Sequence, residues 1–183
     1  MSKVRLYLVR HGKTMFNTIG RAQGWSDTPL TAEGELGIHE LGIGLRESGL
    51  QFDRAYSSDS GRTIQTMGII LEELGLQGKI PYRMDKRIRE WCFGSFDGAY
   101  DGDLFMGLIP RIFNVDHVHQ LSYAELAEGL VEVDTAGWAE GWEKLSGRIK
   151  EGFEAIAKEM EEQGGGNALV VSHGMTIGTI VYL

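Results

Sequence analysis

The sequence predicts an α/β fold, a mainly parallel sheet with helices on both faces. Three segments read as strands: KVRLYLV at 3–9, FDRAYSSD at 52–59 and ALVVS at 168–172. Segments with helical spacing lie between them. Strands alternating with helices give a sheet covered on both sides. The length of 183 residues suits one domain, 1–183, with no linker long enough to divide it.

Each element has a local reason. Residues 3–9 are bulky and apolar and end at a polar cluster. The stretch from Arg10 to Thr31 is polar and punctuated by Asp27 and Pro29, which predicts loop with some helix. Thr31 is an N-cap candidate, with Glu33 and Glu35 in the first turn of a helix reaching about Ser48. Gly37, Gly42 and Gly44 weaken that helix, so packing of Leu36, Leu41 and Leu45 is expected to hold it. A second helix spans about Gly61 to Leu74, its apolar face carrying Ile64, Met67, Ile70, Leu71 and Leu74. A short strand is expected near Lys79–Met84. Residues 92–139 are rich in Gly, Asp and aromatics and show only fragments of helical pattern. A structureless loop of that size is unusual, so 97–137 reads as a small helical insertion capping the active site. Ala139 to Gln163 has helical spacing, Gly164–Gly166 ends it, and a last helix begins near Met175.

Composition excludes several classes. Apolar residues make up 42 % and charged residues 24 %, enough for a sizeable core. The net charge of −8 argues against a general nucleic-acid binder. A single cysteine forms no internal disulfide. No apolar run approaches the ~20 residues of a membrane helix, and Leu6–Val9 is too short for a secretory core. A cytoplasmic protein with no membrane partner is expected.

Two strands end alike, in Arg10-His11-Gly12 and Ser172-His173-Gly174. In an open parallel sheet, ligand chemistry gathers beyond the carboxyl ends of strands. The strand ending at Ser57–Asp59 leads into a helix whose first turn holds Arg62. Three strand ends could thus deliver two histidines and two arginines to one crevice. Guanidinium forks and a helix N-terminus suit a phosphate group.

At these residues the chain resembles the histidine phosphatase superfamily, the phosphoglycerate-mutase-like group. LVRHGKTMFN (8–17), GWSDTPLTAEG (24–34), YSSDSGRTIQT (56–66), IREWCFGSFDG (88–98) and VVSHG (170–174) are similar to its blocks in order and spacing. The resemblance implies a three-layer α/β/α sandwich. It also implies that His11 attacks phosphorus, that Arg10, Arg62 and His173 hold the phosphoryl oxygens with Asn17 assisting, and that Glu90 serves as acid and then base. Gln23 and Gly24 are expected to line the pocket. The expected partner is a small phosphomonoester. Two fixed guanidiniums can take the place of a metal, so no metal and no cofactor are expected.

Other residues have plainer readings. Cys92 reads as a small buried apolar residue, since a thiolate phosphatase would need an arginine at the position of Gly98. His117 and His119 beside Asp116 lack a third metal ligand. Asp101-Gly102-Asp103 reads as a turn. The tryptophans read as packing residues, with Trp91 near the substrate. Mutases of the family usually carry Arg-His-Tyr after the acid, where this chain has Trp91-Cys92-Phe93. Trp91 and Phe93 suggest an apolar or ring-bearing leaving group, so a phosphomonoesterase is favoured over a cofactor-dependent phosphoglycerate mutase. An inactive phosphate-binding protein ranks last, because nucleophile and arginines are all present. The sequence stops at Leu183 on an almost wholly apolar stretch, where family members usually continue. Either the domain is a shortened form or Thr176–Leu183 packs against a partner subunit, and a homo-oligomer through this segment is expected.

Overall fold

The computed structural model describes residues 3–183. Its sheet has four strands, β1 (Val4–Arg10), β2 (Arg54–Ser57), β3 (Tyr82–Met84) and β4 (Gly166–Ser172). The order across the sheet is β1-β4-β2-β3, and every pair is parallel. The α/β class and parallel sheet therefore stand as predicted. The helices are α1 (Met15–Thr18), α2 (Ala32–Glu47), α3 (Gly61–Glu73), α4 (Ile109–Phe113), α5 (Tyr123–Val133), α6 (Trp142–Glu162) and α7 (Gly174–Tyr182).

The side-chain alternation of the central strand divides the core in two. Leu169 and Val171 of β4 pack with Ile38, Met67, Ile70 and Leu71 of α2 and α3. Ala168 and Val170 face the other way, onto Leu145, Ile149, Phe153 and Ile156 of α6. A strand buried on both faces must be apolar at consecutive positions, which is why ALVVS was readable. Register brings the functional ends level. Arg10 stands opposite Ser172, and Ser57 opposite Val171. Pairing runs one step further, with His11 N–H donating to Ser172 O at 3.1 Å and Ser58 N–H to Val171 O at 3.2 Å.

Helix α2 begins as predicted, its Thr31 hydroxyl accepting from Gly34 N–H. Its buried face differs from the expectation. Gly34, Ile38 and Gly42 are inside, while Leu36 and Leu41 are exposed. A Cβ on Gly42 would stand 2.6 Å from Glu73 Cβ of α3. Gly42, one of the three glycines that lower propensity, is thus what allows α2 and α3 to approach closely there, while Gly37 and Gly44 face open space. Ile64 of α3 is exposed as well, and Met67, Ile70 and Leu71 carry the contact.

The middle of the chain is helical, as predicted for 97–137, and includes a π-helical stretch, Gly102–Leu108, leading into α4. Asp101-Gly102-Asp103 therefore opens a helix rather than forming a turn. An i→i+5 ladder leaves no propensity signal. Leu104, Ile109, Leu126 and Leu130 of this region join the core that holds Trp91 and Phe93. In α7, Thr176 and Thr179 are buried and Met175 and Ile180 pack on the same core, while Val181, Tyr182 and Leu183 are exposed. No helix of the described residues is long and apolar enough to cross a membrane.

Candidate active site

His11 follows β1 and is almost wholly buried. Its Nδ1 lies 2.8 Å from the carbonyl of Gly12. A carbonyl only accepts, so Nδ1 carries the hydrogen and Nε2 keeps its lone pair. Gly12 N–H is itself anchored on Thr66 Oγ1 at 3.0 Å. Burial, and next the Arg62 guanidinium, push the His11 pKa down to about 4, against the pull of the Gly12 carbonyl. The imidazole is neutral near pH 7. It opens on a cleft of about 390 Å³ lined by Arg10, His11, Lys13, Asn17 and Asp101.

His173 follows β4 and shows no exposure. Its ring centroid is 5.3 Å from that of His11. Nδ1 is 2.9 Å from Arg62 Nη2, and Nε2 is 2.7 Å from Ser58 Oγ. Arginine can only donate, so Nδ1 accepts and Nε2 bears the hydrogen given to Ser58. The Ser58 hydroxyl then points to Thr63 Oγ1 at 2.8 Å, and Thr63 donates to the Ser60 carbonyl at 2.8 Å. One proton polarity satisfies the whole chain. Burial foremost, and then Arg62, hold the His173 pKa well below its usual value.

Arg62 enters from the first turn of α3 and is fully buried. Nη1 donates to Ser26 O and Asp27 Oδ1, both at 2.9 Å. Nη2 donates to Gly24 O at 2.8 Å and to His173. Those bonds use the four Nη hydrogens. Nε–H is buried without a partner among the described residues. Arg10, by contrast, is exposed and lines the cleft.

Glu90 is buried where α7 begins. Oε1 accepts from Trp91 N–H and Thr176 N–H, both at 3.0 Å, and Thr176 Oγ1, whose hydrogen goes to Arg89 O, lies 3.2 Å away. Among the described residues, Oε2 accepts only from Met175 N–H, at 3.2 Å. Burial raises its pKa, and the backbone donors together with Arg62 oppose that rise. Oε2 is the less engaged oxygen and the one with room for a proton.

The remaining expected residues divide. Asn17 lines the cleft, and its Oδ1 accepts from Thr14 N–H in a capping box. The Gln23 side chain bonds Thr14 Oγ1 at 2.6 Å and Thr28 Oγ1 at 2.9 Å. Gly24 O holds Arg62, and a Cβ there would stand 2.3 Å from Trp91 O. The Gln23 carbonyl, 3.4 Å from Arg62 Nη2, and the Gly24 carbonyl thus brace the arginine, and neither residue is among those that line the cleft. Trp91 and Phe93 are core residues: Trp91 Nε1 donates to Thr179 Oγ1 at 3.0 Å, and Phe93 packs edge-on to Phe105. The expected aromatic contact with a leaving group is therefore not made by them. Trp25 and Trp138, read as packing, are partly to largely exposed. Asp27, Ser58 and Thr176 were not singled out from the sequence, although Asp27 and Ser58 lie inside blocks already quoted. His117 and His119 are exposed, and no group of three or more metal-binding side chains occurs among the described residues.

The family model of the histidine phosphatase superfamily (branch 1) matches residues 6–183. A curated relative from Salmonella choleraesuis (strain SC-B67), named "Probable phosphoglycerate mutase GpmB", is 32 % identical over 180 residues, which is 97 % of this chain and 73 % of the relative. The crystal structure of phosphoglycerate mutase from Bacillus anthracis str. Sterne superimposes with a TM-score of 0.91 at 38 % identity, covering 98 % of this chain and 79 % of that one. A protein from Escherichia coli str. K-12 substr. MG1655, described as a candidate alpha-ribazole-5'-P phosphatase, superimposes with a TM-score of 0.71 at 25 % identity, covering 99 % and 79 %. With its histidine-bearing strand ends side by side and the family pattern running from residue 6 to residue 183, the chain belongs to the histidine phosphatase superfamily.

Proposed function

We propose that the protein is a phosphomonoesterase that hydrolyses a small phosphorylated metabolite through a phosphohistidine on His11. The observation that carries this reading is the bond between His11 Nδ1 and the Gly12 carbonyl, which leaves a neutral Nε2 lone pair at a cleft beside Arg10. An imidazole attacks phosphorus only when uncharged, and burial with Arg62 keeps it so.

The Nε2 lone pair forms a bond to phosphorus while the ester P–O bond breaks. Glu90, protonated on Oε2, gives its proton to the leaving oxygen, and an alcohol departs. Water then attacks phosphorus, Glu90 takes back a proton, and the N–P bond returns its electrons to Nε2. Arg10 donates to the phosphoryl oxygens from the cleft. Arg62 contributes its charge and its one unpaired N–H, Nε. His173 supports this indirectly, by fixing Arg62 as a neutral acceptor. Such transfers depend on position and on stabilised negative oxygens, so no step requires a further group. The 97–137 region borders the cleft through Asp101 and is the proposed determinant of substrate choice.

The names of the relatives favour a second reading, a phosphoglycerate mutase. Both share the phosphoenzyme and differ in its acceptor. Residues 91–93, Trp-Cys-Phe, are buried and offer no cation to a glycerate carboxylate, which favours water as acceptor. Rapid quenching with a radiolabelled phosphomonoester should give protein-bound label that acid removes and alkali spares. Steady-state assays should show hydrolysis outpacing transfer between phosphoglycerates. Label absent under all substrates would overturn the covalent reading, and dominant transfer would establish the mutase.

A further inference from the structure

Glu90 sits at the end of a segment that belongs to no strand, yet its backbone is held at every step. The carbonyls of Arg87, Ile88, Arg89 and Glu90 each accept from a distant side chain. Ser172 Oγ donates to Ile88 O at 2.8 Å, Thr176 Oγ1 to Arg89 O at 2.7 Å, and Trp25 Nε1 to Glu90 O at 3.0 Å. Arg148, from α6, reaches three of the four. Its Nη1 donates to Arg87 O at 2.8 Å and Arg89 O at 3.2 Å, and its Nη2 to Glu90 O at 3.3 Å.

The guanidinium is itself oriented. Nε lies 3.0 and 3.1 Å from the two carboxylate oxygens of Glu140, and Nη2 lies 2.6 Å from one of them. Glu140 is almost completely buried and Arg148 largely so. A buried ion pair is a poor source of stability, because desolvation offsets most of the attraction and a well-packed apolar pair does about as well. What it does provide is direction. A planar fork locked on one side by a carboxylate presents its remaining N–H groups at fixed angles, and here all of them go to the segment that ends in Glu90.

We propose that Arg148, oriented by Glu140, is a positioning residue for Glu90, holding the carboxylate at the start of α7. This rests on the reading of Glu90 as the proton donor. Looser positioning should slow only the step that needs its proton. An alkoxide leaves poorly unless protonated, whereas p-nitrophenolate leaves unaided. Transfer to His11 is the step reported by kcat/KM, so that ratio separates the two cases.

The test compares kcat/KM for glycerol phosphate and p-nitrophenyl phosphate in Glu90→Gln, Arg148→Met, Glu140→Gln and the double variant Glu90→Gln/Arg148→Met. Arg148→Met should lose about ten-fold or more on the alkyl ester and stay within about two-fold on the aryl ester. Glu140→Gln keeps the volume and should show the same bias to a smaller degree, which covers the case of Arg148→Met failing to fold. The double variant should be no slower on the alkyl ester than Glu90→Gln alone. Equal losses on both esters, or losses that multiply in the double variant, would overturn the proposal. If Glu90→Gln shows no ester bias, the proton-donor reading itself fails. If it shows the bias and neither Arg148→Met nor Glu140→Gln does, only the positioning role fails.

Discussion

His11 and His173 follow neighbouring parallel strands, one residue past the register pair Arg10 and Ser172, and their rings stand 5.3 Å apart. Backbone geometry treats them alike. Their second nitrogens do not. At His11 the Nδ1 hydrogen is taken by the carbonyl of the next residue, and Nε2 has no partner among the described residues. At His173 both nitrogens are committed, one to Arg62 and one to Ser58. Two imidazoles in one electrostatic setting thus acquire different capacities. The tautomer partner, more than the fold position, decides which one can be a nucleophile. Where the family resemblance implies that His173 grips phosphoryl oxygens directly, the proposed mechanism has it act through Arg62.

The hardest way to break this contrast is to remove each ring in turn. His11→Ala should abolish turnover, by about four orders of magnitude or more, because no other group can accept the phosphoryl. His173→Gln should lose only about ten- to one hundred-fold, since a Gln carbonyl can accept from Arg62 and its amide can donate toward Ser58. Steady-state rates on one phosphomonoester decide the matter. Comparable losses in the two variants would erase the distinction.

Acid titration sharpens the contrast at smaller amplitude. The folded His11 value, about 4, lies below its ordinary 6.5. Its contribution to stability is therefore complete above about pH 6.5 and is lost as the pH falls through 4, because the unfolded chain takes up the proton first. The difference corresponds to about 3 kcal/mol. His173 is shifted in the same direction. Glu90, raised above 4.5, acts oppositely: its contribution is complete below that value and is lost as the pH rises through its folded value. Urea unfolding of wild type and His11→Ala between pH 4 and 7 should show the variant losing less stability on acidification, by about 2–3 kcal/mol. The kcat/KM profile should hold its acid limb near pH 4, well below that of an ordinary histidine.

Much of this was legible in the residues. ALVVS announced a doubly buried strand, Thr31 capped α2 as expected, and Arg-His-Gly and Ser-His-Gly at strand ends marked the crevice. Legibility failed wherever tertiary contact set the outcome. The buried stripe of α2 runs through Gly42, where α3 comes close, and Gly34, where the Lys13 backbone does, while side-chain size alone points to leucines. Gln23 and Gly24 sit in a family block, and only coordinates reveal that their backbone carbonyls accept from the Arg62 guanidinium. Trp91 follows the acid in sequence, yet its ring turns away onto Tyr123 and Trp142. Arg148 leaves no local pattern, since the carbonyls it holds lie some sixty residues upstream.

The finest probe of the contrast is one hydroxyl. Ser58→Ala removes the acceptor of the His173 Nε2 hydrogen and leaves every His11 contact in place. The buried ring then has two poor choices. It can keep an unpaired N–H, which costs about 1–3 kcal/mol, or shift its hydrogen to Nδ1, where it would oppose the donor Arg62 Nη2. Either choice disturbs the arginine and not the nucleophile. We expect a melting point lowered by several degrees and kcat/KM down about three- to ten-fold, with phosphoenzyme still formed on His11. Nitrogen NMR of the two imidazoles should show changed signals for His173 and unchanged ones for His11. A His11 tautomer that moved with Ser58 would mean that the two rings share one proton network, and that Gly12 alone does not fix the nucleophile.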